Sequence, residues 1–181
     1  MLNQVIELKR EVNAVRIPSG EPLLLPEGES VYVTQILGGT YTVATDYGLA
    51  RIAREDADAL GAEQDEAGVP ESRLAEGASL EERVWDTLKC IYDPEIPVDI
   101  VDLGLIYDVT VTELENGLHH VAVQMTLTAP GCGMGPHLVM EAKARIEALE
   151  GVEAADVDMV WDPPWNQDMV SEEGRMKLGL I

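Results

Sequence analysis

Phenylalanine is missing from all 181 residues, and Tyr and Trp together bring the aromatic fraction to only 4%. A core therefore has to be assembled from Val, Leu, Ile, Ala and Met, and a hydrophobic fraction of 46% supplies enough of them to exclude wholesale disorder. Cysteine occurs twice, at Cys90 and Cys132, without CxxC spacing. Two thiols do not make the dense framework of a small secreted domain. No basic-then-apolar leader opens the sequence either, so reduced thiols in a cytoplasmic protein are expected. No apolar run approaches the roughly 20 residues that span a bilayer. Basic residues are also scarce, 12 against 34 acidic ones, for a net charge of −22. Such a surface repels nucleic acid and anionic membranes, and no local basic patch offsets it. It suits cations, a basic partner protein or simple solvation.

What is present falls into two modules. Residues 1–61 read as a small β-rich, barrel-like or sandwich module of five short strands. Val31, Val33 and Gln35 alternate with Tyr32, Thr34 and Ile36, the period of a half-buried strand, and Gly38-Gly39 supplies a turn to a partner strand at Tyr41–Thr45. Leu49–Ile52 continues the pattern and Asp56–Leu60 suits a helical turn. Residues 62–78 are acidic, carry Gly68, Pro70 and Gly77, and lack an apolar stripe, as a linker does. Residues 79–181 then predict the order α-β-β-α-β-α, an α+β domain with helices on one face of a small mixed sheet. Ser79 and Glu82 form a capping box ahead of Leu80, Val84, Leu88 and Ile91, with Asp93-Pro94 as the stop. Strands follow at 101–112 and 120–128, a helix over 135–149 closed by Gly151, a strand at 154–161 and a short helix over 171–178.

The chemistry concentrates in the strand-to-helix loop Met125-Thr-Leu-Thr-Ala-Pro-Gly-Cys132-Gly-Met-Gly-Pro136. Its glycines and prolines force an irregular backbone. Cys132 then sits just ahead of a helix, where free N–H groups favour a thiolate, which is both a metal ligand and a nucleophile. A buried, inert thiol is the alternative. Cys90 falls within the first helix and reads as core packing. His137, five positions after Cys132, lies early in the second helix; His119 and His120 sit beside a hairpin and read as solvated. Asp93 and Glu95 either satisfy loop N–H groups or line the same pocket as Cys132. In Trp161-Asp-Pro-Pro-Trp165 one indole can be core while the other docks a partner or plugs the surface.

Taken together, Asp93-Pro-Glu-Ile-Pro97, Asp102-Leu-Gly-Leu-Ile106, Thr126-Leu-Thr-Ala-Pro-Gly-Cys132 and Trp161-Asp-Pro-Pro-Trp165 with Met169 and Ser171 resemble the PaaD-like metal–sulfur cluster assembly family. Leu37-Gly-Gly-Thr-Tyr-Thr-Val43 and Asp56-Ala-Asp-Ala-Leu-Gly61 look like the front module of its SufT-type branch. The resemblance implies an iron–sulfur cluster assembly and maturation factor, not an enzyme. Cys132 matches the family's reactive cysteine, Asp93 and Glu95 its acidic loop, and Thr126 and Thr128 its threonine motif; Gly131, Gly133 and His137 are read as supporting residues beside Cys132, and Trp161, Trp165 and Met169 as a docking surface. The cargo would be an iron–sulfur cluster or iron, and the partners the assembly machinery and apo-client proteins.

One thiolate per chain cannot fill the four-cysteine shell of a [2Fe–2S] or [4Fe–4S] cluster. A homodimer could share a cluster, or Cys132 could hold one transiently with a partner's or small-molecule thiols, or it could carry iron or persulfide alone. Two other classes compete. A cysteine hydrolase or transferase needs a base near Cys132, for which only His137 is close in sequence, and no GxSxG, HExxH or Walker A pattern occurs. An adaptor that docks apo-clients without touching metal needs only the acidic front module and the Trp161–Trp165 loop.

Overall fold

The computed structural model describes residues 1–62 and 76–180, in a chain that divides into two compact units, Met1–Pro70 and Glu71–Ile181. The expected linker at 62–78 lies outside the described residues except at its edges.

The first unit is a six-stranded antiparallel sheet of β1 (Val5–Glu7), β2 (Val12–Arg16), β3 (Pro22–Leu25), β4 (Ser30–Leu37), β5 (Thr40–Thr45) and β6 (Gly48–Ile52), ordered β1-β4-β5-β6-β2-β3. Val31 and Val33 point into its core and Tyr32 and Thr34 away from it, as the alternation requires. The register shifts between Val33 and Gln35, and this bulge ends the alternation, leaving both Gln35 and Ile36 half-buried. Tyr41 is the one aromatic among otherwise aliphatic core residues such as Leu8, Leu25, Val43 and Ile52. The barrel-like closure expected from sequence is not among the strand pairings: β1 has three residues and β3 four, the latter starting with a proline that lacks an N–H. Both remain as short sheet edges. A 3-10 helix, Arg54–Leu60, follows β6, and the Arg10 guanidinium clamps it through Asp56 at 2.8 Å and Asp58 at 2.6 Å.

The second unit runs α1 (Leu80–Leu88), β7 (Ile106–Glu113), β8 (His119–Met125), α2 (Gly135–Glu147), β9 (Val152–Met159) and α3 (Glu172–Lys177), an α+β order with a three-stranded mixed sheet. β7 pairs antiparallel with β8, and β8 parallel with β9. The Ser79–Glu82 capping box forms: the Ser79 hydroxyl accepts the Glu82 N–H at 3.2 Å and the Glu82 carboxylate accepts the Ser79 N–H at 2.7 Å. Helix α1 ends earlier than the proline at position 94 would impose. The N–H groups of Cys90 and Ile91 tighten onto the carbonyls of Thr87 and Leu88, so Cys90 lies in the closing turn rather than inside the helix. There Cys90 is half-buried, with its thiol 3.4 Å from the Asp86 carbonyl.

Strand β7 begins at Ile106, five residues later than expected. The Asp99 carboxylate accepts the N–H groups of Val101 and Asp102 at 3.1 and 2.9 Å, and the Leu103, Gly104 and Leu105 N–H groups bond back to Asp99, Val101 and Ile100. A run that reads as strand by composition is thereby wound into a turn. The core beneath the sheet joins Val84, Leu88 and Ile91 to Val121, Val123, Met125, Leu138, Ala142 and Ile146, again without an aromatic. No helix among the described residues is long and apolar enough to cross a membrane.

Candidate functional site

The register Ile106↔Met125↔Met159 brings the start of β7 and the carboxyl ends of β8 and β9 to one end of the sheet. From that end leave three connections: the Asp99–Leu105 turn, the loop 126–134 carrying Cys132, and the segment 160–171 carrying both remaining tryptophans. Carboxyl ends of adjacent parallel strands are where open α/β sheets place ligands, and the same geometry holds here for β8 and β9. His119 and His120 begin β8 at the opposite end. His120 Nε2 lies 2.8 Å from Asp156 and His119 Nδ1 3.3 Å from the Gly151 carbonyl, so both belong to the sheet and not to this site.

Cys132 is half-buried and packs against the core from its loop, and its carbonyl accepts the Gly135 N–H at 3.2 Å, the first residue of α2. Gly131 is exposed and Gly133 half-buried on either side of it. A side chain at Gly135 would press on Leu127 at 2.7 Å, so the helix start and the loop are close-packed. Thr128 is half-buried, and His137 lies half-buried in the first turn of α2.

Thr126 opens the loop. Its N–H donates to the Leu105 carbonyl at 2.8 Å, and its hydroxyl is fully buried yet has no hydrogen-bond partner. An unmet buried hydroxyl costs about 1–3 kcal/mol.

Asp93 is 7% exposed and its Oδ1 accepts the N–H groups of Glu95 and Ile96 at 2.9 and 2.8 Å, while its own N–H donates to the Val98 carbonyl at 3.2 Å. It therefore shapes the loop, and it is Glu95 that projects into solvent.

The two expected docking tryptophans part company. Trp161 is 48% exposed. Trp165 is half-buried against the core and donates its indole N–H to the Leu103 carbonyl at 2.7 Å. Met169 is half-buried, with its sulfur 3.6 Å from the Tyr107 hydroxyl, which donates to the Pro163 carbonyl at 2.7 Å. Trp165 and Met169 thus hold the segment down, and only Trp161 stands free of it.

Sequence reasoning missed the group that secures this segment. Lys177 Nζ lies 2.7 Å from Asp102, 3.3 Å from Asp99 and 3.2 Å from Glu173. Ser171, the N-cap of α3, donates its hydroxyl to Asp102 at 2.9 Å and its N–H to the Asp102 carbonyl at 2.8 Å. Burial opposes the charge on Lys177, but the hydrogen bonds to Asp102 and Glu173 outweigh it and hold the ammonium above its ordinary range. Burial would also raise Asp102; bonds from Lys177 and Ser171 outweigh it and hold that carboxyl low. At Asp99 burial prevails, with the Asp102 charge adding to it, and the carboxyl is pushed up despite the Asp102 N–H. Nothing local in the sequence pointed to it, since Asp102 and Asp99 lie 75 and 78 positions away.

Residues 81–158 match the family described as iron-sulfur cluster assembly protein. An iron–sulfur protein maturation auxiliary factor from Porphyromonas gingivalis is 42% identical over 101 residues, 56% of this chain and 92% of that protein. The chain belongs to this family. SufT from Staphylococcus aureus, also an iron–sulfur protein maturation auxiliary factor, is 39% identical over 90 residues, which cover 50% of this chain and 98% of SufT. A domain of unknown function from Bacillus anthracis, solved by crystallography, superimposes with a TM-score of 0.50 at 35% identity, covering 56% of this chain and 93% of that one. The family match lies wholly within the second unit.

Proposed function

We propose that this chain is an iron–sulfur protein maturation factor, not an enzyme, and that Cys132 holds iron or a cluster transiently on its way to an apo-client. The observations that carry the reading are the family match over residues 81–158 and the half-buried Cys132 in the loop just ahead of α2, with Thr126 at the start of that loop. Among the described residues no three His, Cys, Asp or Glu side chains gather where they could hold a metal ion. On this reading Cys132 shares its cargo with ligands from a second molecule, which fits a site that must release what it binds. Thr128, Gly131, Gly133 and His137 flank Cys132 along the loop and first helical turn, and Asp93 shapes the connection that presents Glu95. The net charge of −22 favours cations and a basic partner surface in a cytoplasmic setting.

The decisive experiment is anaerobic reconstitution with ferrous iron and sulfide, reading bound iron and the visible charge-transfer band. Wild type takes up iron with colour, Cys132→Ser loses both, and Thr126→Val keeps its fold but retains less iron. Equal iron in wild type and Cys132→Ser refutes the carrier. A second reading, an adaptor that docks apo-clients, is favoured by the exposed Trp161. In that case neither protein binds iron, while Trp161→Ala alone abolishes client maturation. A β-rich module over residues 1–61, a linker over 62–78 and the cluster assembly domain from 79 onward form the domain plan we assign.

A further inference from the structure

The Asp99–Leu105 turn supports both arms of the cysteine site. The Leu105 carbonyl holds the N–H of Thr126, where the cysteine loop begins, at 2.8 Å. On the other side the Ile100 N–H donates to Ile91 at 2.9 Å and the Val98 carbonyl accepts the Asp93 N–H at 3.2 Å, so the Asp93–Glu95 loop hangs from the same stretch. The turn is in turn pressed from outside by the C-terminal strap. A Cβ at Gly104 would run into the Met169 carbonyl, and one at Gly174 would come within 2.8 Å of the Asp102 carbonyl. Beside the Ser171 and Trp165 hydrogen bonds to Asp102 and Leu103, Lys177 brings the cation to this contact, reaching the carboxylates of Asp99 and Asp102, themselves only 3% and 6% exposed.

We propose that Lys177 is a positioning residue for the cysteine site, clamping the C-terminal strap onto the 99–105 turn and thereby setting where the Thr126–Cys132 loop stands. Asp99 spends one carboxylate oxygen on the turn's own N–H groups and the other on Lys177; Asp102 divides its two between Ser171 and Lys177. Without the ammonium, two nearly buried carboxylates are left without their cation, and the strain is relieved by a proton taken up on one of them or by the turn loosening from the strap toward water. The Leu105–Thr126 bond carries such a movement into the loop. The inference rests on Cys132 being the working group of the site, but its test reads the position of the thiol and not the binding of iron.

The experiment measures the rate of Cys132 alkylation by iodoacetamide in the full chain, in a Cys90→Ser background, for wild type, Lys177→Met and Lys177→Arg. Far-ultraviolet circular dichroism confirms that each is folded, and rates that do not respond to low urea confirm that the native state is being read. Lys177→Met shifts the rate by about 2- to 30-fold, in the range that mutations along a coupled network produce. Lys177→Arg, which keeps a cation in the clamp, returns it close to wild type. A rate unchanged in folded Lys177→Met overturns the proposal, as does an equal shift in Lys177→Arg. Should Lys177→Met not fold, Asp102→Asn removes one carboxylate of the clamp and carries the same expectation of a shifted rate. A protein that reconstitutes no iron but shows these rate shifts keeps the clamp and discards the carrier.

Discussion

Replacing Gly104 by alanine tests whether the 99–105 turn and the C-terminal strap are packed as described. Gly104 has φ 74°, where an L-residue loses about 1–2 kcal/mol. The new Cβ would also collide with the Met169 carbonyl, with the carbonyl carbon at 2.8 Å and the Met169 Cβ at 2.9 Å. Those atoms are backbone or close to it, and they are pinned by Met169 N–H to Asn166, Val170 N–H to Gln167 and Ser171 N–H to Asp102. Overpacking of this kind costs about 1–3 kcal/mol, so the substitution destabilises the second unit by about 2–5 kcal/mol in all. Gly117 is the control: its φ is 80°, but nothing lies within 4 Å of an added Cβ, so Gly117→Ala carries only the conformational cost of about 1–2 kcal/mol. All three tryptophans, Trp85, Trp161 and Trp165, belong to the second unit, so tryptophan fluorescence during urea unfolding is silent about the first. With a urea dependence of about 2 kcal/mol per molar, Gly104→Ala moves the midpoint down by about 1–2.5 M, roughly twice the shift for Gly117→Ala. Equal shifts for the two variants would mean that the strap is not seated on the turn, and the clamp argument would fall with it.

Lys177→Met carries a pH signature. Asp102, held below its ordinary 3.8, contributes stability above pH 3.8 that is lost as the pH falls through its lower folded value. Asp99, held above 3.8, does the opposite, weakening the fold as the pH rises through its folded value. Lys177, held above 10.5, contributes stability below pH 10.5 that is lost only as the pH rises through its folded value. Removing the cation strands both carboxylates, at about 1–3 kcal/mol near neutral pH once the exposure of Lys177 is allowed for, and the loss shrinks as the pH falls and the stranded carboxylates protonate. Urea midpoints of wild type and variant across a pH series check this, and a pH-independent loss contradicts it. The two tryptophans separate equally cleanly. Trp161→Ala shifts stability by no more than about 0.5 kcal/mol because the ring is exposed, whereas Trp165→Ala, which empties a half-buried site and orphans the Leu103 carbonyl, costs about 2–4 kcal/mol. Similar costs for the two would contradict the latch.

Much of this protein was legible from local pattern. The Ser79–Glu82 cap, the α-β-β-α-β-α order and the alternation of Val31 and Val33 depend on neighbours within a few positions, and each was readable for that reason. Cys132 drew notice because glycine and proline crowd its loop, and the four motifs carried the resemblance to a metal–sulfur assembly family. What the sequence could not separate was a motif's chemistry from its carpentry. Trp161 and Trp165 look alike in Trp-Asp-Pro-Pro-Trp, and Asp102-Leu-Gly-Leu reads as the start of a strand. Only the tertiary contacts make Trp165 a latch on Leu103, Gly104 a seat for Met169 and Asp102 the anchor of Ser171 and Lys177. The physical reason is range: a cap or a pleat is decided by residues three or two apart, whereas the Lys177 clamp joins groups more than seventy positions apart and is set by how the whole sheet brings its ends together.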